Sequence, residues 1–551
     1  MKLPYWKLLL MLFPSLSLMA QDFPATAFSS SDWSSSGSKW NEVSAISVHP
    51  FEDNIEVSKG EGILYTNGKS TLNSKKLFKD YKLSFEILQD SDNAAIFHLG
   101  NGLALDLSSD KNKFGCLIKA NGTVQRPSQY VAKMAGLWQK INLTYSSALN
   151  DGLAILEEVM INDVTLFTNY RLQNPNEEAA VISFESRKGL LAVRNAEYTV
   201  IGYRKPVSIS NLSYKLQETE GWQKEWAATD TPAKTGSTKS MTLDVPNDYR
   251  WFSLTYSGDI DVSEANTYAF TKEYAGVANL KIDGKQVGGT YLELNRQPTT
   301  DIVELSAGKH TFEYFFRRVW QKPAFGLYVS GSDFRAYPLH PHKNLPLPDY
   351  PSVIHENPKG SKARIIRSFM NFGKEKRTTV ISVGTSEGKN YSFDLDKGTM
   401  LYVWQGNFAD VTDMWYNRGQ PQLLKPLGQV VKLSGRPSFF QGSDDNYVFE
   451  EYFLDKNGLP TYLHSLNGSS ISQKLEPISN GFEVSLGVEN NEVSYLLGAG
   501  NLIEKVGDLL YRVDDHYILL SQKTSLEIKM EGDVMTLSGK AKAIESYQLI
   551  W

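Results

Sequence analysis

From about residue 60 the chain alternates apolar and polar residues in short runs. GILYTNG, YKLSFEIL, AAIFHLG, LALDLSS, KFGCLIKA, QKINLTYS, LAILEEVMIND and AVISFES follow one another, with Gly, Asn and Asp between them. A period of two is that of half-buried antiparallel strands, and Gly68, Gly122 and Gly152, each beside Asn or Asp, mark turns. The pattern continues through FSLTYSG and HTFEYFF, where IDGK supplies a tight Asp-Gly turn between strands. It resumes in TTVISVG, KNYSFDLD, TMLYVWQG, YVFEEYFLD, FEVSLGV, YILLSQ and VMTLSG. No long helical pattern interrupts it. The chain is therefore expected to be all-β, with three consecutive β-sandwich or jelly-roll domains. Their expected bounds are 21–204, 205–338 and 364–551. Between the last two lies a linker, 339–363, overlapping a stretch whose prolines oppose helix and central strand (YPLHPHKNLPLPDYPSVIHENP).

Composition narrows the function. The 551 residues carry 57 Lys and Arg against 62 Asp and Glu, with no basic block, so nucleic acid is not an expected partner. Lys2 and Lys7 precede an apolar run, Leu8–Met19, and Ala20 precedes a polar start at Gln21. This is the form of a cleaved secretory signal, residues 1–20, which places the mature protein in the periplasm or outside the cell. No later apolar run is long enough to span a bilayer, so membrane insertion is not expected. Cys116 stands alone, which excludes an intrachain disulfide and thiolate metal clusters. His340, His342 and His355 have no fixed partners nearby. No metal and no cofactor are expected. Phosphate-loop, HExxH, GxSxG and dinucleotide motifs are absent.

Three resemblances follow from particular residues. DYKLSFEILQDSDNAAIFHLGNG, with GLWQKINLTYS and INDVTLFTNYRL after it, resembles the 3-keto-disaccharide hydrolase domains, a concanavalin-like jelly roll, over Trp33–Gly202. That resemblance implies a Glu on the strand Gly102–Asp106, where this sequence has Ala104, a departure that counts against hydrolysis. Glu86, His98 and Asp106 are left as polar groups for a concave face. Tyr256, Gly258, Tyr268, Phe270, Leu280, Ile282, Asp283 and Gly284, with AGKH later, resemble a PA14 domain. Sugar-binding members hold calcium through an adjacent Asp pair in a loop. The matching stretch here, Glu273–Gly276, offers one carboxylate, so no such calcium site is expected. FDLDKGTMLYVWQGNFADVTDMWYNRG resembles a region of large secreted bacterial proteins that also carry haem-c and sugar-dehydrogenase modules. The haem attachment motif is absent, so no haem is implied.

That last segment is the richest in candidate chemistry. Trp415 could stack on a pyranose while Asp410, Asp413 and Arg418 bond its hydroxyls, which is how carbohydrate sites work. Equally, Trp404 and Trp415 could plug a core closed by an Asp–Arg pair. Trp404, alternating with Tyr402, fits the core, and Trp415 fits the site. With His98 and Asp106, these are the candidate ligand-binding residues; no catalytic residue is assigned. The expected function is an extracytoplasmic carbohydrate-associated protein that binds or processes oligo- or polysaccharide, in association with other secreted glycan-processing proteins. The alternatives are a hydrolase acting on 3-keto-glycosides through the N-terminal jelly roll, and a structural or surface-assembly protein.

Overall fold

The computed structural model describes residues 25–551 except 101, 128, 130, 147–154, 172–178, 202–203, 220, 222–230, 247, 295, 332–333, 346–352 and 416–421. The expected signal segment 1–20 lies outside the described residues. The protein is all-β, as its alternation predicts, and among the described residues its two α-helices are four residues each, Thr412–Trp415 and Ala541–Ile544. No described helix is long and apolar enough to cross a membrane. The chain divides into two compact units. One holds Thr199–Asp349, the other Thr26–Tyr198 together with Tyr350–Trp551.

The N-terminal part of the larger unit is a sandwich of two antiparallel sheets. One runs in the order Val164–Arg171, Ile155–Ile161, Gln139–Ser146, Tyr81–Gln89, Leu190–Val200, Ile55–Asn67, Asn41–Val48. The other runs Val124–Gln125, Leu117–Ile118, Leu103–Asp106, Ala95–Gly100, Ser183–Ser186, Ser70–Ser74, Trp33–Gly37. Alternation sends Leu83, Phe85 and Ile87 from the first sheet, and Phe97, Leu99, Leu105 and Phe184 from the second, into one buried core. The rings of Phe85 and Phe184 meet edge to face at 4.9 Å there. The intervening residues face outward, and that outward set is where function must be sought.

The C-terminal part stacks a five-stranded sheet, Arg364–Phe372 to Gln429–Lys432, with eight- and four-stranded sheets over a large core that includes Tyr391, Phe393, Tyr462, Phe482 and Tyr547. It joins the N-terminal sandwich through a small buried cluster of Leu137, Leu510, Tyr517 and Ile550. The Tyr517 hydroxyl donates to the Ala135 carbonyl, and Lys133 pairs with Asp515 at 2.9 Å.

In the smaller unit one strand, Asn266–Ile282, belongs to both faces. Its first half pairs with Thr299–Leu305 and Ala324–Gly331, its second half with Gly308–Arg317 and Lys285–Glu293. The changeover falls at Gly276 (φ +149°), where a Cβ would lie 2.4 Å from the Arg317 carbonyl oxygen. The expected Asp-Gly turn is present: Asp283 and Gly284 both have positive φ, and Ile282 pairs with Lys285. The stretch Glu273–Gly276, matched above to a loop, is the middle of this long strand. Pairing of Glu273–Ala275 with Ala324–Gly326 and of Gly276 with Glu293 holds it extended, and the Glu273 carboxylate is bonded by Arg296.

Candidate functional site

Three surfaces carry the chemistry. The first is the outer face of the seven-stranded sheet in the N-terminal sandwich. Ile96 on Ala95–Gly100 lies in register with Glu185 on one side and Asp106 on the other. His98, two residues on, faces Ser183 and Ala104. His98 Nε2 lies 2.8 Å from Glu185 Oε2, and Arg187 donates to both oxygens of the same carboxylate at 2.8 and 3.3 Å. The Arg187 guanidinium, and after it His98, hold the Glu185 carboxyl below the usual carboxylate range despite partial burial. Asp106, buried, accepts the Ser108 N–H at 2.9 Å and the Ser108 hydroxyl at 2.5 Å. His98 and Asp106 are thus brought to one face. Glu86 is not with them: it sits on the other sheet, paired with Arg194 at 2.7 Å, whose guanidinium lies 3.9 Å from the Trp138 ring centroid. Sequence reading missed Glu185 and Arg187, although ISFESR, with Glu185 and Arg187 in one phase of the strand, held the signal.

An ionised, doubly bonded carboxylate is a poor proton donor at neutral pH. Glu185 is therefore expected to titrate below 4.5 by NMR and to move upward in Arg187→Ala. Because its folded-state pKa is depressed, the stability it contributes is present above 4.5 and is lost as pH falls through the folded value. An unshifted Glu185 in both proteins would contradict the geometry.

The second surface is the segment Leu401–Gly419. Trp404 is fully buried, its ring parallel to Phe408 and its Nε1 donating to the Phe408 carbonyl at 2.9 Å. Trp415 ends the short helix Thr412–Trp415 and is 42% exposed. Asp410 accepts the Thr412 N–H at 2.9 Å, an Asx turn that leads into the helix. Asp413 pairs with Lys425 at 2.8 Å. Arg418 lies outside the described residues. Each carboxylate beside Trp415 is therefore already engaged in holding the turn.

The third surface, in the smaller unit, was not anticipated. Four adjacent strands place Lys215, Thr255, Phe315 and Asn279 directly opposite one another in a single rung. The rung beside it is Ser213, Ser257, Glu313 and Lys281, with Lys281 Nζ 2.9 Å from Glu313 Oε1. The opposite phase of these strands, Leu216, Tyr256, Tyr314 and Leu280, fills the core. All of these but Ser213 line a groove of about 430 Å³, within the size of small-ligand sites. Phe315 is its half-buried aromatic floor. The Asn279 side-chain oxygen is buried with no hydrogen-bond partner among the described residues. The sequence signal lies in HTFEYFF: Phe312, Tyr314 and Phe316 keep the apolar phase, while Phe315 puts an aromatic ring in the polar one.

Among the described residues, no group of three or more His, Cys, Asp or Glu side chains is placed to hold a metal ion. His340 Nδ1 lies 3.1 Å from the Leu327 backbone nitrogen and 3.0 Å from its carbonyl oxygen, inside the smaller unit.

Fold and groove together define an all-β protein of several sandwiches, with an aromatic-floored polar groove on one sheet face. No family model matches the chain, and no curated protein matches it. Similar solved structures include a "putative glycosyl hydrolase" from Parabacteroides distasonis (12% identity, TM-score 0.21, covering 30% of this chain and 100% of that one). A second structure so described, from the same organism, has 11% identity, a TM-score of 0.20 and covers 30% of this chain and 88% of that one. A GH31 α-xylosidase from Xanthomonas citri has 10% identity and a TM-score of 0.20, covering 49% of this chain and 33% of that one. At these scores the likenesses assign the chain to no family.

Proposed function

We propose that this protein binds carbohydrate, and that the groove over Phe315 is where it does so. The observation that carries this reading is the rung Lys215–Thr255–Phe315–Asn279: one ring flanked in register by a hydroxyl and an amide. A pyranose has an apolar face and an equatorial belt of hydroxyls, so a single flat ring with polar groups on both sides complements it. The strands that carry these groups are paired on both edges, so the site is pre-organised and loses little entropy on binding. Screening the purified chain on a glycan array tests the reading. Binding by the parent and its loss in Phe315→Ala are expected. No binding by the parent to any glycan would overturn it.

A second reading, hydrolysis of 3-keto-glycosides by the N-terminal sandwich, draws on one observation. Glu185 and Asp106 share a sheet face two strand spacings apart, about 10 Å between Cα atoms. Glycosidases use two flanking carboxyl groups, one of them protonated. Here Glu185 is held ionised, Asp106 is bonded to Ser108, and Ala104 faces His98 without a carboxylate. Incubation with a 3-keto-disaccharide is expected to release no monosaccharide; release that disappears in Glu185→Gln would establish the enzyme instead. We place the protein outside the cytoplasm on its N-terminal pattern, and mass spectrometry of the exported chain should find Gln21 at its start.

A further inference from the structure

We infer that two copies of this chain pair through the edge strand Leu526–Glu531, making a two-fold dimer whose sheet runs on from one molecule into the other. The strand ends the four-stranded sheet of the C-terminal part, and among the described strands it pairs only with Val534–Lys540. Its sequence, LEIKME, alternates apolar and charged side chains. Ile528 lies opposite Leu537, a member of the large core, and Met530 lies opposite Met535, which packs against that core. The apolar phase is therefore on the core side of the sheet. Yet Ile528 is 41% exposed and Met530 64%. The core is open along this edge, and one more strand of the same alternation would close it.

Backbone and charge select the same occupant. The turn Gly532–Asp533 has two residues, with Gly532 at φ +66°, so it closes on a hydrogen-bonded pair, Glu531 with Val534. Such pairs alternate along the ladder. Glu531, Lys529 and Glu527 turn their backbone groups toward Val534–Lys540, while Leu526, Ile528 and Met530 turn theirs to the open edge. A second copy laid antiparallel, Ile528 against Ile528, engages all three open positions, with Leu526 against Met530 on each side of the axis. The same register sets Glu527 against Lys529 twice. A slip of two residues, the smallest that keeps the hydrogen bonds, sets Lys529 against Lys529 or Glu527 against Glu527, which repels. A lone lysine on an edge holds other strands off, but Glu527 neutralises Lys529 at 2.7 Å. A two-fold interface requires a surface that complements its own image, and LEIKME does so when reversed.

Sedimentation of the full chain between about 1 and 200 µM tests this, a range suited to the small interface of one strand pair. A concentration-dependent monomer–dimer equilibrium is expected. Ile528→Lys places two cations on the axis and should raise the dimer Kd at least about tenfold. Glu527→Lys and Lys529→Glu should each do so alone, because each leaves both positions with one sign of charge. Mixed in equal amounts, these two variants should associate at least about tenfold more tightly than either alone, since opposite charges again face each other. Thermal melts check that each variant folds. Should Ile528→Lys melt early, the two charge variants, whose side chains point away from the core, decide alone. A parent that stays monomeric throughout the range would overturn the inference. So would a dimer whose Kd none of the variants moves, because its interface would lie elsewhere. A mixture of the two charge variants that associates no better than its parts would overturn it as well.

Discussion

Between pH 6.5 and about 4 the C-terminal part of the protein is expected to lose several kcal/mol of stability through two histidines, His464 and His516. Both are buried within its sheets, and burial pushes both down from 6.5 to about 4. His464 lies in an aromatic nest, with Phe439, Tyr447, Phe449 and Phe393 at centroid distances of 5.6–5.9 Å. Its Nδ1 is 2.8 Å from the Tyr447 hydroxyl, and its Nε2 has no partner among the described residues. A proton there would create a buried cation with no acceptor among the described residues. The His516 Nδ1 is in the same position. The unfolded chain binds these protons from pH 6.5 downward and the folded one only near 4, so stability falls as pH falls through that window. At 1.36 kcal/mol per pKa unit each group costs about 3 kcal/mol once the window is crossed. Urea unfolding at pH 7 and pH 4.5 should show the loss. His464→Phe, which keeps an aromatic ring in the nest, should shrink it; an unchanged pH slope in that variant would contradict the assignment.

Trp404→Ala is expected to cost about 3–5 kcal/mol. The ring is fully buried, packs parallel to Phe408, and its N–H is used by backbone carbonyls. Its removal leaves a large cavity among Leu401, Phe408, Val411 and Leu424, which the paired strand Thr399–Gln405 cannot collapse to fill. Trp415→Ala, eleven positions on, should change stability by about 0.5 kcal/mol or less, because that ring is substantially exposed. Equal costs for the two substitutions in denaturant titrations would contradict the division between core and surface.

The strands were legible because alternation has a period of two and the turns carry Gly, Asn and Asp. What alternation cannot show is a strand buried on both sides. Thr399–Gln405 packs Val403 into the large core and Trp404 into a second one shared with Phe408, Val411 and Leu424. Nor does local pattern reveal partners far along the chain. Glu86 and His98 look alike in sequence, yet they lie on different sheets. Asp413, read against nearby Arg418, meets Lys425 from the neighbouring strand. Glu273–Gly276 was matched to a loop through the PA14 resemblance, and only the pairing of Glu273–Ala275 with Ala324–Gly326 and of Gly276 with Glu293 makes it strand. The groove was hidden for the same reason. Lys215, Thr255, Asn279 and Phe315 span a hundred residues of sequence, and only sheet register sets them in line.

The central claim is that Phe315 is the floor of a saccharide site. Its most direct test is calorimetric titration of parent and Phe315→Ala with the strongest glycan from the array, alongside thermal melts of both. A binding aromatic of this kind contributes at least about 2 kcal/mol, so affinity should fall by about thirtyfold while the variant still melts cooperatively. A cooperatively folded Phe315→Ala protein that binds the glycan as tightly as its parent would contradict the account.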